Sequence, residues 1–180
     1  IAASRRRISK NPLGSAAGYG VPGLPIDRQQ TAESLGFDEV QEPVTAVQLS
    51  RGKAEAGLVF EANLLLQDLG RLASDLLMFY TQEFAFVRLP EDMTTGSSIM
   101  PQKRNPDVFE LMRGRAGVLC GLAGQAMAVA GGLPGGYHRD LQLVKGPLME
   151  GLDTVKGMLV MATHAIPRLE VDREACARAV

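Results

Sequence analysis

Cysteine is scarce: Cys120 and Cys176 are the only two, and neither belongs to a CxxC pair. A disulfide framework or cysteine-built metal centre is therefore not expected, and reduced thiols in a cytosol fit better. Charge of one sign is also lacking, with 19 basic side chains against 20 acidic ones and a formal net charge of −1. Binding nucleic acid takes a surplus of Lys and Arg to neutralise phosphates, so that class is set aside. The one basic cluster, Arg5, Arg6, Arg7 and Lys10, reads as a solvated or substrate-facing stretch. No basic-then-apolar leader opens the chain, which begins with Ile rather than Met. That start suggests a piece of a longer polypeptide, with some of the chemistry upstream of Ile1.

What is present looks globular. Apolar residues make up 46% and charged residues 22% of the 180 positions, which excludes disorder and collagen-like repeats. Residues 116–138 carry no Asp, Glu, Lys or Arg, but they are built from Ala and Gly more than from Leu or Ile. A membrane span wants about 20 strongly apolar residues, so this stretch reads as a buried helix and no membrane partner is expected.

Residues 1–45 are dense in turn signals, from Asn11-Pro12 to Pro22-Gly23 and Pro25, and read as an irregular segment with one short helix over 27–35. Asp27 would cap that helix and Gly36 would stop it. Residues 46–180 read as a bundle of long helices around a loop at 94–106. The first long helix spans about 50–83, with a seam of Leu58, Ala62, Leu65, Leu69, Leu72, Leu76 and Phe79 stepping alternately by four and three. The second begins at Asn105-Pro106 and follows Val108, Met112, Arg115, Leu119, Leu122, Ala126 and Val129. It also carries Gly114, Gly117, Gly121 and Gly124 along one stripe, which predicts the close approach of another helix backbone, since each interior Gly costs about 1 kcal/mol relative to Ala. The third runs Leu148, Leu152, Val155, Leu159, Ala162 and Ile166 and ends at Pro167. The fold class that follows is all-α, an elongated bundle of long antiparallel helices. Helices of this length seldom bury every apolar face within one subunit, so a symmetric homo-oligomer is expected.

Two phosphate-loop look-alikes fail on context. Gly18 to Gly23 matches GxGxxG, but turn residues precede it and Pro22 interrupts it, so no strand feeds it and no helix opens inside it. Residues 96–103 lack the second Gly of a P-loop and the hydroxyl residue after Lys103.

The segment from Thr94 to Pro106 differs in kind. It places a flexible Gly, two hydroxyls, two cations and an amide between two long helices. By residue type alone it could be a connector with a capping residue. By order, Gly96-Ser97-Ser98-Ile99-Met100-Pro101-Gln102-Lys103-Arg104-Asn105-Pro106 resembles the signature loop of the fumarase/aspartase superfamily. Asn11-Pro12-Leu13-Gly14-Ser15, Pro25-Ile26-Asp27-Arg28 and Leu35-Gly36-Phe37-Asp38 are similar to segments of argininosuccinate lyases, and so is Tyr137-His138-Arg139-Asp140-Leu141-Gln142-Leu143-Val144-Lys145. The resemblance covers nearly all of the chain. It implies reversible elimination of argininosuccinate to arginine and fumarate, in the cytoplasm, on a homotetramer whose sites are shared between subunits and use no metal or organic cofactor.

The same resemblance implies residue roles. Ser97 would be the base that takes a proton from the carbon beside a carboxylate, activated by a loop that closes and brings oriented N–H groups and a cation. Lys103 would face the doubly charged aci-carboxylate of the transition state, with Asn105 donating to the same group and Met100 packing on the closed loop. Ser98 has two open roles, substrate hydrogen bonding or loop structure. Tyr137, Gln142 and Lys145 would hold the substrate. Arg51 stays open between reaching a carboxylate at the positive end of the first long helix and a purely local role. Arg104 keeps a charge where relatives often have Lys. His164 reads as a packing or surface residue. His138 stands where many relatives have Asn, could line the pocket, and is not the acid; the family's catalytic His belongs to an earlier motif that these residues do not include. Three rivals stand beside this reading: another superfamily lyase acting on adenylosuccinate, aspartate or fumarate; a non-catalytic crystallin-like relative; and a coiled-coil module, which leaves the loop unexplained.

Overall fold

The computed structural model describes residues 2–100 and 102–179. Its helices are α1 (Ala2–Ile8), α2 (Arg28–Leu35), α3 (Ala46–Ser50), α4 (Lys53–Tyr80), α5 (Asp107–Ala130), α6 (Lys145–Ala165) and α7 (Arg173–Arg178). Four two-residue strands accompany them: β1 (Lys10–Asn11), β2 (Glu39–Val40), β3 (Val87–Arg88) and β4 (Glu170–Val171). The class is all-α, dominated by helices of 28, 24 and 21 residues. Among the described residues no helix is long and apolar enough to cross a membrane. Two compact units make up the chain, Ile1–Ala62 with Gly121–Gly151 and Asn63–Cys120 with Leu152–Val180, and each long helix lends a part to both.

In the first unit β1 and β2 pair in parallel, Lys10 with Glu39 and Asn11 with Val40. Helix α2 forms as its sequence predicts: the Asp27 side chain accepts from the Gln30 N–H at 2.9 Å, and Gly36 closes the helix in the left-handed region. Arg28 ties this region together. Its guanidinium donates to the carbonyls of Leu13 (2.9 Å) and Gln41 (2.8 Å) and pairs with Glu42 at 2.7 Å. Buried Asn11 returns the contact, donating to the Arg28 carbonyl at 2.9 Å and accepting from the Leu13 N–H at 3.0 Å. The segments 11–15 and 25–28 are thus two halves of one lock. The apolar centre of this unit is Ala56, Ala126, Leu141 and Val144, flanked by Val129 and Leu133.

In the second unit β3 and β4 pair antiparallel, Val87 with Val171 and Arg88 with Glu170. Asp172 follows β4, caps α7 by accepting from the Ala175 N–H at 2.9 Å, and pairs with Arg88 at 2.9 Å. The cap hydrogen bond, helped by the Arg88 charge, holds its carboxyl below the ordinary range. Phe109, Met112, Ala116 and Leu119 from α5 are buried here, as are Leu66, Ala73 and Leu76 from α4 and Met158, Ala162 and Ala165 from α6.

The seams differ from expectation by one position in two of the three helices. In α4 the buried line is Ala56, Val59, Asn63, Leu66, Gly70 and Ala73; of the expected seam only Ala62 and Leu76 are buried, and Leu72 is exposed. In α6 the buried line is Pro147, Gly151, Thr154, Met158 and Ala162, whereas Leu152, Leu159 and Ile166 are exposed. In α5 the expected Met112, Leu119, Leu122 and Ala126 are buried, but Arg115 is exposed. The buried lines mix small residues such as Ala56, Gly70, Ala73, Gly151 and Ala162, which let backbones approach, with the larger Val59, Leu66 and Met158, and Leu72, Leu152 and Leu159 fall at their edge. The close approach itself lies elsewhere than the sequence suggests. A Cβ on Gly70 would stand 3.1 Å from the Ala116 Cβ, while Gly114, Gly117, Gly121 and Gly124 have nothing within 4 Å. Helix boundaries shift modestly: α5 starts at Asp107, with the Pro106 carbonyl accepting from the Phe109 N–H at 3.0 Å, and α6 stops before Pro167.

Candidate active site

The signature loop belongs to the second unit. Its two ends are clipped together by a backbone pair: the Thr95 N–H donates to the Asn105 carbonyl at 3.0 Å and the Asn105 N–H to the Thr95 carbonyl at 2.8 Å. The Thr95 hydroxyl also bonds the Asp107 carboxylate in the first turn of α5. Outside the clip, Arg104 pairs with Glu91 at 2.8 Å, and the Tyr80 hydroxyl donates to the Arg104 carbonyl at 3.4 Å. Glu91 sits in a short 3-10 turn, Glu91–Met93, whose next residue, Asp92, is held by Arg168.

Within the tip, the half-buried Ser97 Oγ accepts from the N–H groups of both Ile99 and Met100, each at 3.3 Å. The Lys103 N–H donates to the Met100 carbonyl at 2.9 Å, which closes a second small turn. Pro101, part of the signature match, lies outside the described residues. Ser98, Met100 and Lys103 are exposed and Asn105 is half-buried. Met100, Lys103 and Asn105 line one cleft of 910 Å³ with Tyr80, Arg88 and Arg113; Ser97 and Ser98 are not part of its lining.

Tyr137, Gln142 and Lys145 belong to the first unit. Residues Arg139–Val144 form a 3-10 helix that runs directly into α6. In a 3-10 helix residues three apart eclipse one another, so Leu141 and Val144 turn into the core together. Gln142 and Lys145 share an exposed face for the same reason. Among the described residues, neither side chain has a hydrogen-bond or ion-pair partner.

Tyr137, 52% exposed, lines a separate cleft of 1070 Å³ in the same unit, together with Arg7, Ser15, Gln48, Arg51 and Lys53. Here Arg51 takes a place that its sequence position left open. Its guanidinium lies over the Tyr137 ring, 5.0 Å from the centroid, and donates to the Gln48 Oε1 at 3.1 Å. Gln48 is three residues from Arg51 and meets it locally, but no residue pattern signals the stacking, because Tyr137 reaches Arg51 only through the tertiary fold.

Both histidines are engaged locally. His138 Nε2 is 2.9 Å from the Pro134 carbonyl, which it can reach only as a donor, and so braces its own turn. His164 accepts from Arg168 at 2.7 Å. Arg168 also donates to both oxygens of Asp92 at 2.8 Å, and that hydrogen bond, with the nearby positive charge, lowers the Asp92 carboxyl pKa. Cys120 and Cys176 are free thiols. Among the described residues no group of three or more His, Cys, Asp or Glu is placed to hold a metal ion.

A family model described as lyase matches residues 1–121. The argininosuccinate lyase of Sorangium cellulosum is 47% identical over 180 residues, covering 100% of this chain and 41% of that protein. That of Parabacteroides distasonis is 44% identical over 170 residues, covering 94% of this chain and 38% of that protein. The chain therefore spans about two fifths of the length of these relatives. A class II fumarase from Schistosoma mansoni superposes with a TM-score of 0.81 over 96% of this chain and 40% of that one; at 19% identity this likeness concerns the fold alone.

Proposed function

Because the chain belongs to the lyase family, we propose that it forms part of an argininosuccinate lyase, which cleaves argininosuccinate reversibly to arginine and fumarate by anti β-elimination. The observation that carries this reading is the tip of the signature loop, where a serine oxygen sits under two backbone N–H groups. A neutral serine is a poor base at pH 7, but an alkoxide held by two N–H donors in a closed, water-poor site can accept a proton. Ser97 takes the proton from the carbon beside a carboxylate, and negative charge spreads into that carboxylate. Lys103 and Asn105, which line one cleft, stabilise the doubly charged form by charge and by amide hydrogen bonds, with Met100 packing beside them. The electron pair then breaks the C–N bond; the nitrogen takes up a proton and leaves with arginine, and fumarate remains.

Tyr137, Gln142 and Lys145 bind the substrate; a hydroxyl, an amide and an ammonium suit a tricarboxylate that also carries a guanidinium. Ser98 adds a hydrogen bond at the loop. The functional unit is a homotetramer with sites shared between subunits. Leu72, Leu152 and Leu159, exposed at the edge of the buried lines, and the open glycine stripe of α5 support it, since both offer surface for further helices. Two free thiols fit a reducing compartment, and we assign the enzyme to the cytoplasm.

The test is an ultraviolet assay for fumarate with the complete polypeptide, offered argininosuccinate, adenylosuccinate and aspartate in turn. Fumarate from argininosuccinate alone is expected. Release from another of the three, or from none, would overturn the assignment.

A further inference from the structure

We infer that Arg51 is a positioning residue that fixes Tyr137 for substrate, through a relay that begins at the glycine turn of residues 18–20; the inference rests on the proposed substrate-binding role of Tyr137.

The backbone next to Arg51 is closely packed. Gly52, buried and at φ +79°, would place a Cβ 2.8 Å from the Ala130 Cβ and 3.0 Å from the Leu141 Cδ2. The chain at this point is therefore packed against the end of α5 and the 3-10 helix that carries Gln142, with no room for a side chain toward them. The guanidinium is fixed from the other direction by Gln48. That side chain lies against Gly18, where a Cβ would come within 2.5 Å of the Gln48 Cγ and where φ of +114° already favours glycine. Its Nε2 donates to the Ala16 carbonyl at 3.4 Å, which leaves Oε1 for Arg51. Gly18, the first glycine of the pattern that failed as a nucleotide loop, thus leaves the space in which Gln48 lies.

Tyr137 meets this cation from a turn braced by His138, whose Nε2 donates to the Pro134 carbonyl at 2.9 Å; that bond holds the backbone, not the Tyr137 ring. Gly135 and Gly136 precede it, the second at φ +112°, against Leu49 and the Tyr19 hydroxyl respectively. Its hydroxyl has no hydrogen-bond partner among the described residues. The Arg51 guanidinium over one ring face is accordingly the contact that selects the ring's orientation, and Arg51 itself has no carboxylate partner among the described residues. A planar cation on a π face both attracts and orients, which an aliphatic side chain filling the same space would not do.

The experiment uses the complete enzyme with Arg51→Ala, Arg51→Lys, Tyr137→Phe and the double variant Arg51→Ala/Tyr137→Phe. Arg51→Ala should raise KM for argininosuccinate by about five- to tenfold with kcat within about twofold, and Arg51→Lys should recover part of the loss. In the Tyr137→Phe background, Arg51→Ala should raise KM by less than about twofold, because the hydroxyl it positions is gone. An unchanged KM in Arg51→Ala, or effects that multiply fully in the double variant, would overturn the inference. Hydrogen exchange over residues 135–138 in the unliganded protein gives a readout independent of turnover. Faster exchange in Arg51→Ala supports the positioning contact even if argininosuccinate proves not to be the substrate, and unchanged exchange refutes it.

Discussion

The Ser97 side-chain oxygen accepts a hydrogen bond from the backbone N–H of Met100, 3.3 Å away, within a turn that also brings the Ile99 N–H to the same oxygen. Both donors belong to the loop that carries the serine, two and three residues beyond it. Hydrogen bonds to a charged oxygen contribute about 1.5–3 kcal/mol, more than those to a neutral one. Replacing the Met100 amide by an ester, which deletes that N–H alone, should lower kcat by about tenfold or more while substrate binding changes little. An unchanged kcat would show that the donor does not serve Ser97 in the reaction.

Gly52 should tolerate no side chain. Its positive φ and the contacts that a Cβ would make with Ala130 and Leu141 predict that Gly52→Ala destabilises the protein by at least about 2 kcal/mol, read as a lowered midpoint in denaturant. Gly114→Ala, in open space on an exposed helix face, should instead leave the midpoint of the unassembled chain unchanged or slightly raised.

Asp92 predicts a pH dependence with a definite sign. Arg168 lowers its carboxyl below the ordinary value of 3.8 in the folded chain. A group whose folded pKa is depressed stabilises fully above its unfolded value, and that contribution is lost as pH falls through the folded one. Thermal melts of wild type and Asp92→Asn should therefore differ at neutral pH, with wild type higher, and converge as the pH falls through the depressed folded value. A difference that stays constant with pH would mean that the charge is irrelevant.

The exposed aliphatic edge predicts association. Leu159, 41% exposed, and Val160, 64% exposed, lie on α6 away from its buried line. Leu159→Glu in the complete protein should shift sedimentation from tetramer to smaller species while helical circular dichroism is retained. An unaltered tetramer would place the contact on another face.

Much of this molecule was legible in its residues, and what was not has physical causes. Asp27 and Gly36 bracket α2 as written, because capping chemistry is local. The long helices were legible too, but the side on which they pack was not. Heptad reading follows the largest apolar residues, whereas α4 and α6 bury lines one position away that mix small residues with Val59, Leu66 and Met158, and there Gly70 can meet Ala116. The signature loop was found by the order of its residues, yet the two N–H groups on Ser97 are a matter of backbone conformation that no side-chain pattern encodes. Arg51 was visible only as a charge near a helix start; that it lies over Tyr137 depends on a fold that brings distant segments together.

Binding and turnover measured side by side on Ser97→Ala in the complete polypeptide decide whether a loop serine performs the elimination. Fumarate release from argininosuccinate should fall by about 10²- to 10⁴-fold, the range expected for loss of a general base, while the substrate dissociation constant from calorimetry stays within a few fold of wild type. Turnover close to wild type in that variant would contradict the account.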